Sequence, residues 1–361
     1  MTLSDIARIR VQNQQLADTK IKSAVEMVEW LGAVQGQEYA QTKWGLGLRL
    51  PHLSDNDIEN ELNEGKILRT HLLRPTWHFV SVKDIRWLLK LTAPRVHTAN
   101  AYMYRQLALD GRIFNRCNNI LIKTLQGGNQ LTRGDINEEF KKYKIIAKGH
   151  RLSYIMMNAE LEGIICSGAR QGNKFTYALL DERVQHKKSL GKDEALTELT
   201  TRYFNSRNPA TVKDFATWSG LTITDCKKGI EMIKPLLKKE VIEQQEYFFN
   251  PNISLSDKQA NKIYLLPIYD EFIMGYKDRS AIMTLGNNAS FRYDCMIVFD
   301  GRVIGTWKRT ISKNAIDIAF DFFKPLNKYQ SKTFDGAVNH FSEFMNLKVS
   351  RVQLNKKTTN R

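Results

Sequence analysis

Apolar residues recur along most of the chain at helical spacing, interrupted by short alternating runs, and one order of elements returns three times. The clearest copy lies in the middle. "TRGDINEEFKKY" begins at Thr132, a hydroxyl suited to a helix N-cap, with Asp135 in the first turn, where a carboxylate favours the helix dipole. Ile136, Phe140 and Tyr143 then share one face. "HRLSYIMMNAELEG" follows, with Leu152, Ile155, Met156 and Ala159 on its apolar side and Gly163 as its stop. "IICSGARQGNKFTYALL" reads as two strands joined by a turn rich in glycine and basic residues, Lys174 among them. Helix, turn, helix and hairpin is the winged-helix arrangement.

A second copy begins at Thr211. "TVKDFATWSG" is a capped helix ending at Gly220, "TITDCKKGIEMIKP" a second ending by Pro235, and "KEVIEQQEYFFN" the wing. A third, less regular copy lies near the N-terminus, where Ser54 starts a helix through Ile58 and Leu62 and Gly65 ends it. "ILRTHLL" and "TWHFV" then pair as strands. Toward the C-terminus, "KIYLLPIYDEFIMGYKDR" (262–279) opens with a buried-strand run. "FRYDCMIVFDGRVIGTWKRT" (291–310) is a hairpin turning on Asp300-Gly301, and helices are expected over 313–323 and 332–347. The expected fold is therefore α+β and mainly helical, with tandem winged helix-turn-helix units over 1–110, 111–185 and 186–255. A small α+β subdomain over 256–350 and a basic tail, 351–361, complete it.

Composition narrows the class. With 361 residues, 42% of them hydrophobic and 10% aromatic, the chain is globular and long enough for two or three subdomains. It has no apolar run long enough for a membrane span, and "MTLSDIARIR" lacks the apolar core of a signal peptide. Cys117, Cys166, Cys226 and Cys295 show no C-x-x-C spacing, which argues against a zinc ribbon, an iron–sulfur cluster or a disulfide framework and fits a reducing cytoplasm. The formal charge of +16 points to a polyanionic partner, nucleic acid first, although lysine-rich proteomes also produce such values. It is uneven: "SDNDIENELNE" (54–64) is acidic, whereas Arg95 to Arg133 holds six Lys/Arg against the single acid Asp110.

Motif chemistry is sparse. There is no phosphate-binding loop, no G-x-S-x-G elbow and no H-E-x-x-H, and the seven histidines show no ligand-like pairing, so neither a metal nor a cofactor is expected. Three constellations remain. Gln35-Gly36-Gln37 follows an apolar helical pattern that runs to Val34; if the chain then extends, residues i and i+2 point the same way. The pair reads either as surface glutamines beside a helix-ending glycine or as two amides converging on a water. In "LLRPTWHFV", alternation sets Thr76, His78 and Val80 on one face and Trp77 and Phe79 on the other. His78 is a candidate for reaching a phosphate or a base, or a wing histidine bonded to backbone, with Arg69 and Arg74 as phosphate contacts. In "YDEF", Asp270 and Glu271 on a strand would face opposite sides. One of them is then a base or a cation stabiliser, or the pair is structural, with Arg279 of "YKDR" as its partner.

In order, Gln-x-Gln, "LRPTWHFV", "WSGL", "LLPIYDEFIMGYKDR" and "DGRVIGTWKR" resemble the AlkZ-like DNA glycosylases, the winged-helix group related to YcaQ, over roughly residues 1 to 350. The resemblance implies tandem winged helices on DNA, removal of N7-alkylated purines and, in some members, unhooking of interstrand crosslinks. It assigns Gln35 and Gln37 as the catalytic Gln-x-Gln, where the YcaQ branch ends in Asp. Arg69, Arg74, His78, Asp270, Arg279 and Lys174 follow as DNA-binding or supporting residues. Two positions depart from the family: Gly36, usually larger and apolar, and Pro75, usually glycine. The implied enzyme is a monofunctional glycosylase, with water as nucleophile and no lysine Schiff base; the expected protein is a monomer without cofactor, cytoplasmic and, if bacterial, nucleoid-associated. The rival readings are a DNA-binding regulator or architectural protein, which would bind DNA without releasing bases, and a protein-interaction scaffold.

Overall fold

The computed structural model describes residues 1–185, 189–251, 262–283 and 294–355. His186, the first residues of the 291–310 hairpin and the end of the basic tail lie outside them. Helix α1 (Leu3–Asn13) is capped by Thr2 and Asp5, and α2 (Ala24–Leu31) by Ser23 and Glu26, each a reciprocal capping box. Helix α2 stops at Gly32, whose φ of 75° turns the chain out of the helix before Val34, earlier than the apolar pattern indicates. Strand β1 (Val34–Gln35) follows, then α3 (Tyr39–Arg49) and α4 (Asp55–Asn63), which Ser54 caps as expected. Strands β2 (Ile67–Leu72) and β3 (Thr76–Ser81) form the expected hairpin, β1 adds to β3, and α5 (Ile85–Gln106) leads away.

The middle segment holds α6 (Gly111–Leu125), β4 (Leu131–Thr132), α7 (Arg133–Lys142), α8 (His150–Leu161), β5 (Ile165–Ser167), β6 (Thr176–Leu179) and the short α9 (Leu180–Arg183). Thr132 and Asp135 cap α7, and β5 pairs with β6 around the basic turn. The next segment holds α10 (Lys192–Ser206), α11 (Val212–Ser219), α12 (Ile223–Met232), β7 (Lys238–Ile242) and β8 (Gln245–Phe249), again helix, helix, hairpin. Gly220 ends α11 at φ 72°, and a Cβ there would lie 2.2 Å from the Leu73 carbonyl oxygen. That close approach seats the end of α11 against the β2–β3 turn.

The C-terminal part is a sheet ordered β13-β12-β11-β10-β9, from β9 (Ile263–Leu265), β10 (Cys295–Phe299), β11 (Arg302–Ile311), β12 (Ala315–Phe322) and β13 (Lys348–Asn355). Before β10 comes the short α13 (Glu271–Met274), and α14 (Lys328–Met345) is the crossover between the parallel pair β12 and β13. Asp300 and Gly301, at φ 49° and 75°, make the expected two-residue turn. The helix expected over 313–323 is instead β12. Ile316, Ile318 and Phe320 are buried at every second position, the period of a strand with one face on the core. The chain end from Lys348, expected as a tail from 351, forms β13.

Three apolar cores hold this together. One joins Ile6, Met27, Val28 and Trp44 to Ile297, Trp307 and Phe341, so the N-terminal helices and the C-terminal sheet share an interior. A second joins the outer face of the β2–β3 hairpin to α10, α11 and α12 through Leu72, Leu88, Tyr203, Phe215 and Trp218. The third, around Phe114, Phe140 and Ile155, belongs to the middle segment. Among the described residues no helix is long and apolar enough to cross a membrane. Strand β1 lies where the first two cores meet.

Candidate active site

Once Gly32 has broken α2, Val34 and Gln35 pair antiparallel with Phe79 and His78, and the Gly36 N–H donates to the Trp77 carbonyl at 2.7 Å. A Cβ on Gly36 would sit 3.0 Å from Phe79 Cδ1 and 3.2 Å from both the His78 carbonyl carbon and the Phe79 nitrogen. Glycine at this position therefore lets β1 lie tight against β3, where a larger residue would press on backbone. The Thr42 hydroxyl, in the first turn of α3, donates to the Gln35 carbonyl at 3.0 Å. The segment is thus held from the sheet and from the helix that follows.

The two glutamine side chains differ. Gln35 is buried, and its Oε1 accepts from Arg74 Nη2 at 3.0 Å. Gln37 is partly exposed, and among the described residues its amide has no hydrogen-bond partner. Arg69 fixes the backbone around Gln37, its Nε donating to the Gly36 carbonyl at 2.9 Å and its Nη2 to the Gln37 carbonyl at 3.4 Å. The Arg69 guanidinium lies between the Trp77 ring (4.2 Å to the centroid) and that of Phe175 (4.9 Å), so the hairpin of the middle segment forms one wall of its slot. Arg74 also donates to the Trp218 carbonyl, across the contact that Gly220 permits. Both arginines spend donors on carbonyls, and burial lowers the pKa of each from the ordinary arginine range.

His78 is not free to reach DNA. It is fully buried, its Nδ1 donates to the Thr76 carbonyl at 2.9 Å, and Nε2 is left as an acceptor 3.4 Å from Arg74 Nη2. Burial first, and the Arg74 charge second, hold its pKa well below the ordinary histidine value. The unfolded chain takes up a proton near pH ~6.5 that the folded protein refuses, so this contribution to stability is complete above that pH and is lost as pH falls below it. A His78→Gln variant is expected to show a shallower fall in unfolding free energy, read from urea titrations, between pH 7 and pH 5, by up to about 1.4 kcal/mol per pH unit. Equal slopes for variant and parent would refute this.

The two carboxylates of "YDEF" are not on a strand. Tyr269, at φ 61°, turns the chain, and Asp270 becomes the N-cap of α13, accepting the Phe272 N–H at 2.8 Å. Their partners are Arg49 and Arg207, not Arg279, whose Nε donates to the Ile273 carbonyl. Asp270 and Arg49 form a buried two-point pair at 2.8 and 2.9 Å. Glu271 faces the site: one oxygen accepts the Gln35 backbone N–H at 2.8 Å, and the other accepts Arg207 Nη2 at 2.6 Å and Trp218 Nε1 at 2.8 Å.

The family model described as DNA glycosylase AlkZ-like matches residues 28–344, from α2 to α14. The chain belongs to the AlkZ-like DNA glycosylase family. It is 23% identical over 321 residues to an interstrand DNA cross-link repair glycosylase of Streptomyces sahachiroi, covering 83% of this chain and 85% of that protein. The solved structure of the Streptomyces sahachiroi DNA glycosylase AlkZ shares its fold, with a TM-score of 0.81 at 19% identity over 98% of this chain and 100% of that one.

In this AlkZ-like glycosylase, Gln35, Gln37, Arg69, Arg74 and His78 come together around β1, from residues far apart in sequence. Asp270 stays behind the site with Arg49. Lys174 is exposed at the hairpin turn of the middle segment, one residue from Phe175. Arg207 and Arg49 carry no sequence signal, since each meets its carboxylate only through the tertiary fold. Trp218, in "WSGL", was visible as a motif without a role.

Proposed function

We propose that this glycosylase hydrolyses the N-glycosidic bond of cationic N7-alkylated purines in duplex DNA, including purines held in interstrand crosslinks. The observation that carries the reading is the amide of Gln37, without a hydrogen-bond partner among the described residues, beside Gln35, with the buried carboxylates Asp270 and Glu271 already in ion pairs and His78 neutral and enclosed. Among the described residues around β1, the carboxylate of Glu271, the imidazole of His78 and, behind Trp77, the Glu160 carboxylate paired with His71 are already engaged, so none stands ready to protonate a leaving base or deprotonate water. A neutral amide can hold a water and orient it toward C1′, and amide dipoles favour the oxocarbenium-like sugar. The leaving-group activation then comes from the substrate, whose alkylated purine already carries a positive charge. The relative named for interstrand DNA cross-link repair supports the wider substrate range.

The three helix–helix–hairpin segments act, in this reading, as tandem winged helices along the duplex, with the protein as a monomer. Exposed Arg95, Arg105, Arg112, Arg116 and Lys123 supply phosphate contacts, so affinity falls steeply as salt rises. Duplexes bearing 7-methylguanine or uracil, incubated with the protein and then cleaved at abasic sites with alkali, test the reading. Base release from the methylated duplex and little from the uracil duplex is expected. The Gln35→Ala, Gln37→Ala double variant should bind DNA as the parent does and release little base. Release at the parent rate by that variant refutes the roles of the glutamines, and equal release of uracil refutes the cationic substrate.

A further inference from the structure

Strand β1 is an edge strand, hydrogen-bonded to β3 on one side. On its other side an ion pair stands where a neighbouring strand would be. Arg207 Nη1 donates to the Leu31 carbonyl at 2.7 Å and Nη2 to the Ala33 carbonyl at 3.3 Å, and Glu271 accepts the Gln35 N–H at 2.8 Å. The carbonyls of Leu31, at the end of α2, and of Ala33, with the N–H of Gln35 in β1, are thereby held by one Arg–Glu pair. Arg207 and Glu271 are essentially inaccessible to solvent, so neither touches DNA.

We propose that Glu271 is a positioning residue for base release: it fixes the backbone of Gln35 and thereby aims the Gln35–Gln37 pair. The proposal rests on the glutamine-held water of the preceding reading. Its chemistry explains why a carboxylate stands there. Three donors converge on the side chain, from Gln35, Arg207 and Trp218, and none of them can accept. A carboxylate accepts on both oxygens, whereas an amide has one oxygen and a donor NH2 that must face one of the three. In a Glu271→Gln variant the oxygen turns to the two donors Arg207 and Trp218, and the NH2 opposes the Gln35 N–H. The variant keeps the shape of the side chain and releases the catalytic segment.

Single-turnover release of 7-methylguanine, with enzyme in excess over duplex, tests this together with amide hydrogen exchange over residues 33–37. Glu271→Gln is expected to release base on the order of 100-fold more slowly, the effect of misplacing a reacting group by about 1 Å. Duplex affinity should be unchanged and exchange at 33–37 faster. The loss should shrink in a Gln37→Ala background, because the clamp on the Gln35 backbone acts by aiming that amide. A parent-like rate, a loss shared equally between rate and affinity, or an undiminished loss in the Gln37→Ala background overturns the proposal. If the parent releases no base from 7-methylguanine duplex, the functional reading fails instead. The exchange measurement then still decides, and unchanged exchange at 33–37 refutes the clamp.

Discussion

Alanine at Gln37 is expected to slow the release of 7-methylguanine by about 100- to 1,000-fold, the size of effect seen when one preorganised polar group is removed from a reacting centre. Duplex affinity should stay at the parent value if the proposed phosphate contacts of the middle segment carry it. The expectation follows from the asymmetry of the pair. The Gln35 side-chain oxygen, Oε1, is already bonded to Arg74, so that residue offers the reaction chiefly its side-chain NH2. Gln37 keeps both its side-chain oxygen and its side-chain NH2 for a water, on a backbone that Arg69 holds by the carbonyls of Gly36 and Gln37. Gln35→Ala should therefore cost less, roughly tenfold, through looser placement rather than loss of the water's holder. Glu38, an exposed carboxylate next along the chain, gives a discriminating control. If an amide holds the water, Glu38→Gln releases base at the parent rate; if a carboxylate deprotonates it, Glu38→Gln fails and Gln37→Ala survives. Single-turnover kinetics on the three variants separate these outcomes.

What the sequence made legible was local. Capping boxes at Ser54, Thr132 and Thr211, glycine stops at Gly163 and Gly220, and the Asp300-Gly301 turn all lie where pattern and turn chemistry place them, because each is decided by neighbours within a few residues. Where two periods competed, composition misled: the run after Ser312 carries its apolar residues at every second position and is a strand. The site was half legible. Gln35 and His78 were singled out separately, but their direct cross-strand pairing depends on β1 joining β3. Asp270 and Glu271 were read as facing opposite ways on a strand, and the turn at Tyr269 removed that geometry. Arg49 and Arg207 were invisible, since a buried ion pair between residues more than 60 positions apart leaves no trace in spacing.

The Arg49–Asp270 pair should show how far such pairs serve position rather than stability. Both side chains are almost fully buried, and Arg49 also donates to the Gly45 carbonyl and to the carbonyl and side chain of Gln14. Arg49→Met keeps much of the volume and leaves the Asp270 carboxylate without its guanidinium, an uncompensated buried charge that costs about 3–5 kcal/mol. Replacing both partners, Arg49→Met with Asp270→Leu, removes that charge and is expected to recover part of the loss, the acceptors of Gly45 and Gln14 and the Phe272 N–H staying unpaired. Activity should not recover with it. Asp270 caps α13, and the next residue, Glu271, reaches the Gln35 N–H; without the cap and the two-point pair, α13 is no longer held in register with β1. Urea unfolding and single-turnover base release on the same variants separate the two contributions. Stability and rate returning together in the double variant would show that the pair serves stability alone, and a single variant as stable as the parent would refute the buried-charge argument.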